Sequence, residues 1–134
     1  MKMRSLWDRK GFTLAELMIS VVIVGLLTAI VLPRLSMAKD RGFVATMQSD
    51  LRQFAAHEES YFYDNSVYTS SLALLTAGGF NLSAGVTITI AEATATGWSA
   101  TASHSQSSGV ECALFSGTAA PVGAATEEGV IACL

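Results

Sequence analysis

Sixteen consecutive residues, 17–32 (LMISVVIVGLLTAIVL), carry no charge, and an acid, Glu16, stands directly before them. Counted from Phe12 to Leu32 the stretch is 21 residues. As a helix it spans roughly 32 Å, about the hydrocarbon thickness of a bilayer. A helix apolar on every face has no side to turn to water, so it belongs in lipid or against other apolar helices. Glu16 at its mouth is costly in lipid, and a charge retained in such a place usually has a use. Gly25 and Pro33 weaken the helix at its middle and far end, Pro33 because it lacks an N–H and crowds the preceding turn, so a bend or local loosening is expected there.

Charge divides around this stretch. Residues 1–11 hold Lys2, Arg4, Arg9 and Lys10 against Asp8, whereas everything after Gly11 holds four bases against ten acids. The acidic body argues against general nucleic-acid binding, which needs clustered Lys and Arg. With 134 residues there is room for one modest domain. Cys112 and Cys133, behind an export-like segment, read as a disulfide rather than a metal site and imply an oxidising compartment.

Beyond Pro33 the pattern becomes one-sided. Val44, Met47, Leu51, Phe54 and Phe62 recur at helical spacing, with Lys39, Asp40, Arg41, Asp50, Arg52 and Glu59 assigned to other faces. This predicts an amphipathic helix continuing the first one over 34–63, with Asp64-Asn65-Ser66 as its stop and Tyr61, Phe62 and Tyr63 as core and loop anchors. Residues 70–75 predict a short turn of helix ended by Gly78-Gly79. Strands are predicted over 86–90, 98–103, 111–115 and 129–133, where β-branched or apolar residues lie between Gly, Ser and Pro. Four such strands suggest an antiparallel sheet whose apolar face is covered by the stripe from Val44 to Phe62.

Lys10-Gly11-Phe12-Thr13-Leu14-Ala15-Glu16 followed by the apolar run resembles the class III signal of type IV pilins and type II secretion pseudopilins. The resemblance implies an α+β pilin fold, with a long N-terminal helix packed on a small antiparallel sheet. It also implies removal of leader 1–11 by a prepilin peptidase that cuts between Gly11 and Phe12, with N-methylation of Phe12. A glycine before the cut suits close approach of the peptidase to the backbone. The new cation on Phe12 then lies one helical turn before Glu16, and each charge is expensive in lipid unless paired. In the family that glutamate meets the amino terminus of a neighbouring subunit, so Phe12 and Glu16 are the assembly residues expected here.

By the same resemblance, 12–33 is the transmembrane and assembly helix and 34–134 the periplasmic domain, with 112–133 its disulfide-bonded region. The implied partners are further copies of the chain, the peptidase, an assembly platform with its ATPase, and membrane lipid before assembly; no cofactor is implied. The expected location is the bacterial inner membrane, single-pass, and then an extracellular pilus or a periplasmic pseudopilus. Adhesion, motility, DNA uptake and secretion all remain open as its purpose. The family commonly has Tyr-Pro where this chain has Tyr68-Thr69, so the resemblance does not set the turn there.

Other readings stand beside this one. Ser36-Met37-Ala38 satisfies a secretory cleavage rule and would leave Lys39 as the first residue, although Glu16 intrudes on the apolar core of such a signal. An uncleaved anchor would retain Met1, and a membrane-anchored binding module would share only the anchor. Thr13-x-x-Glu16 also fits a helix capping box. His57 and His104 read as solvent-facing or locally hydrogen-bonded, and Asp64-Asn65-Ser66 as a plain turn rather than a Ca²⁺ loop. Nothing pairs an acid with a base or activates a serine, so no enzyme is expected.

Overall fold

The computed structural model describes residues 11–134. It divides into two compact units, one ending at Ser36 and one running from Met37 to Leu134, and helix α1, Leu14–Asn65, contributes to both. In the first unit α1 is a bare apolar rod, with Leu17, Ile23, Leu27 and Leu32 each at least half exposed. The two hydroxyls of the uncharged run 17–32 are turned back on the helix, Ser20 Oγ donating to the Glu16 carbonyl at 2.7 Å and Thr28 Oγ1 to the Val24 carbonyl at 2.7 Å. No polar side chain is thereby left searching for water in an apolar setting. The helix runs without interruption through Gly25 and Pro33. Pro33 has no N–H to give the carbonyl four residues earlier, so that turn is held by its neighbours alone.

In the second unit α1 packs on a four-stranded antiparallel sheet of order β1-β2-β3-β4: β1 Val86–Ala93, β2 Gly97–His104, β3 Glu111–Gly117 and β4 Ala132–Cys133. Met47, Leu51 and Phe54 are fully buried against Ile88, Trp98, Ala100, Ala102 and Leu114. Phe54 meets the edges of two rings, Trp98 at 5.1 Å and Phe80 at 6.0 Å between centroids. The alanines of β2 present little bulk, which leaves room for the large side chains of α1. Alternation along β3 sends Cys112 and Leu114 into this core, while Ala113 and Phe115 join Ala125 and Val122 in a second, smaller cluster. That second cluster is absent from the sequence reading.

Several boundaries differ from the sequence expectation. Helix α1 ends at Asn65 rather than 63, with Ser66 left-handed at φ 58° and its N–H donating to the Phe62 carbonyl. Helix α2 is Leu72–Ala77. The first strand continues three residues past 90, through a bulge between Ile90 and Glu92. The last strand shrinks to Ala132–Cys133, because Gly129 has φ 72° and gives its N–H to the Phe115 carbonyl in a turn. Gly97 and Gly117 face each other across β2 and β3. A Cβ on Gly97 would lie 2.6 Å from Ser116 O and from the amide nitrogens of Thr118 and Ala119, so only glycine fits. The Cys112–Cys133 disulfide joins register partners on β3 and β4.

Three side-chain expectations fail. Asp50, assigned to an outer face, is fully buried. Phe62 stacks on Tyr68 at 4.6 Å instead of covering the sheet, and Tyr63 anchors nothing at 88% exposure. His104 stacks on Phe43 at 4.0 Å and accepts a bond from the Gln106 N–H, while His57 rests against Phe80.

Candidate functional site

The basic residues of the leader lie outside the described residues. From Gly11 onward, the site begins as three residues of open chain before α1. Thr13 caps the helix. Its Oγ1 accepts from the Glu16 N–H at 3.1 Å, and Glu16 Oε2 accepts from the Thr13 N–H at 3.0 Å and from the Thr13 hydroxyl at 3.1 Å. This reciprocal pair satisfies two of the amide donors that every helix start leaves free. An acid in the first turn also complements the positive end of the helix dipole.

Glu16 is thus held locally in the isolated chain, while Phe12 beside it is 80% exposed. The Glu16 carboxylate uses one oxygen, Oε2, for both of its bonds in the cap. Exchanging those bonds for an external cation would break short local contacts and no core packing. The apolar residues that follow are unburied by their own chain, so the segment offers a sticky shaft headed by one anionic group.

Within the second unit, a groove of about 600 Å³ lies between the α1 residues Gln48, Arg52 and Glu59 and the β3 residues Leu114 and Phe115. Among the described residues, Arg52 and Glu59 are its charged lining groups.

A family model described as the prokaryotic N-terminal methylation motif matches residues 8–32. The type IV wide pilus major component PilA4 of Thermus thermophilus is 36% identical over 99 residues, covering 73% of this chain and 76% of that protein. The chain belongs to the type IV pilin and pseudopilin family. Type II secretion system core protein G of Pseudomonas aeruginosa is 38% identical over 64 residues, and that of Klebsiella michiganensis 35% over the same length. Each of these matches covers 48% of the chain and 45% of the relative, so the pseudopilin likeness spans less than half of either protein. These relatives are structural components rather than enzymes. A pilin-family chain with the methylation motif is a substrate of prepilin peptidase.

The two carboxylates that organise the rest of this pilin-like domain were not found from sequence. Asp50 and Glu58 are both fully buried on α1. Asp50 accepts from the Ser83 N–H at 2.9 Å and the Ser83 hydroxyl at 2.8 Å. Glu58 accepts from the Thr69 N–H at 3.0 Å. Together they fasten the two ends of the segment that carries α2. One available signal was their spacing of eight residues, which leaves them about 80° apart around the helix, within the width of one buried stripe. Another was Thr69 itself, since a proline there would have no N–H to give Glu58.

Proposed function

We propose that this chain is the filament-forming subunit of a type IV pilus-like fibre. Prepilin peptidase cuts it between Gly11 and Phe12 and methylates the Phe12 amine. Before assembly residues 12–33 anchor it in the inner membrane, with 34–134 on the periplasmic side. It then leaves lipid for a bundle of like helices, driven by a platform protein and a cytoplasmic ATPase. Head-to-tail contacts between identical subunits generate an open helical filament. The Phe12 cation of one subunit pairs with Glu16 of its neighbour and sets the axial register, each charge neutralising the other where water is scarce.

One observation supports this reading above the rest: an apolar shaft left wholly unburied by its own chain, headed by a lone acid that is held only by a local cap. Purified filaments should contain the chain with methylated Phe12 as its first residue, by peptide mass spectrometry. A mature terminus at Lys39 or Met1 would refute it. The pseudopilin alternative rests on the likeness of the first half to core protein G, and predicts short periplasmic fibres in place of long surface ones.

A further inference from the structure

The two buried carboxylates of α1 are unequally partnered. Both oxygens of Asp50 are taken by Ser83. Glu58 is equally inaccessible, yet only its Oε2 is used, and Oε1 has no hydrogen-bond partner. A charged carboxylate oxygen with no donor in a protein interior is expensive, and a buried polar atom left bare calls for a reason.

The surroundings add to the cost. On α1 the adjacent Glu59 is of like charge, and its carboxylate accepts the Tyr68 hydroxyl at 3.0 Å. The segment before α2 gives Glu58 one N–H, its Tyr68 phenol being taken by Glu59, and α2, LALLTA, has no charge at all. In the sheet, Glu92 of β1 is engaged by the Ala120 N–H, and His104 of β2 lies against Phe43. Nothing cationic donates to Glu58 among the described residues. A short ladder of bonds then runs outward from it: Glu58 to Thr69, Thr69 Oγ1 to the Ser71 N–H at 3.0 Å, and α2 begins at the next residue.

We propose that Glu58 is a proton-operated clasp: neutral, it holds segment 66–71 on α1 through the Thr69 N–H, and ionised, it lets that segment lift so that water reaches the carboxylate. Thr69 is 6% exposed when docked, whereas Tyr63, Val67 and Leu74 around it already face solvent. Lifting therefore takes the Tyr68 N–H off the Thr94 carbonyl and its ring off Phe62, and it remodels an outward surface at the edge of the core of Met47, Leu51 and Phe54. The Asp50–Ser83 fastening, with both oxygens satisfied, keeps the other end of the segment in place. Burial chiefly, with a smaller push from Glu59, raises Glu58 above its ordinary 4.5 against the opposing effect of the Thr69 N–H. A raised carboxyl favours the docked state fully below 4.5 and loses that contribution as pH rises through the docked-state value.

The test is hydrogen exchange of the full chain in detergent micelles, comparing the Thr69 amide with the Ser83 amide across pH, alongside a ¹³C titration of the Glu58 carboxyl. Thr69 protection relative to Ser83 should fall by up to about tenfold per pH unit above the ordinary glutamate value, until Glu58 is fully ionised. Glu58→Gln, which keeps an acceptor and cannot ionise, should abolish that dependence. A ratio constant within about twofold between pH ~4.5 and ~8, or a Glu58→Gln chain with the native dependence, overturns the clasp. If Glu58→Gln does not fold, the titration of the native chain decides: a midpoint at or below 4.5 overturns it, and a raised midpoint matched by the Thr69 transition supports it.

Discussion

Asp50 gives the sharpest test of how the spine helix holds its domain. Its two oxygens receive the backbone N–H and the hydroxyl of Ser83, 33 residues away, at 2.9 and 2.8 Å. Hydrogen bonds to a charged group contribute roughly 1.5–3 kcal/mol each. Asp50→Ala removes both and leaves a part-buried N–H unpaired, but it also removes the cost of desolvating a carboxylate. The net loss should be about 2–4 kcal/mol. Asp50→Asn retains both contacts, its amide oxygen accepting from the N–H and its NH₂ donating to the hydroxyl, and should cost about 1 kcal/mol or less. Ser83→Ala removes only the hydroxyl bond and should fall between them. For a domain of this size each kcal/mol moves the melting temperature by about 4–8 °C, so Asp50→Ala should melt roughly 10–30 °C lower and Asp50→Asn within a few degrees of the parent. Near-UV circular dichroism of the full chain in micelles reads the transition. If Asn falls as far as Ala, charge and not geometry holds the segment; if Ala melts with the parent, the bonds contribute nothing and the argument fails.

Three further outcomes follow from the geometry. Reducing Cys112–Cys133, or replacing both by serine, should cost about 3 kcal/mol, the constraint expected of a loop closed over 21 residues, and a melt indifferent to reductant would exclude this. Gly97→Ala has no room beside Ser116 and Ala119 and should cost about 1–3 kcal/mol, with faster exchange at the Thr118 amide that now bonds the Thr96 carbonyl; unaltered exchange there would mean the strands tolerate a methyl group. Glu16→Gln keeps a capping side chain but loses the charge, so it should be processed yet missing from filaments, whereas Thr13→Ala loses the cap and should still be incorporated. The filament-to-membrane ratio by quantitative mass spectrometry separates them, and equal behaviour would reduce Glu16 to a cap.

Asp50, Glu58 and Phe62 show where sequence reasoning stopped. Helical periodicity sorts residues by polarity, so it sends acids outward and aromatics inward. It has no means of knowing that Ser83 and Thr69 will bring amide donors to that face, because those partners arrive through a chain reversal. Phe62 is drawn to Tyr68 for the same reason: the segment after the helix folds back over its end. The second small core under Phe115 was likewise invisible, since Ala125 and Val122 lie in a stretch whose small residues show no period.

By itself the sequence determined what depends on local composition. An uncharged run of this length makes a lipid-compatible helix, Thr13-x-x-Glu16 fits a cap for it, and alternating short runs after Gly85 suit strands. Those outcomes follow from hydrogen-bond satisfaction and apolar burial within a few residues. Tertiary structure alone decided the register of the sheet, the short last strand, the facing glycines of β2 and β3, and the burial of Asp50 and Glu58. Whether a charge can leave water depends on the donors waiting for it. For these two acids the donors come from distant stretches of chain, and they satisfy Asp50 in full and Glu58 only by half.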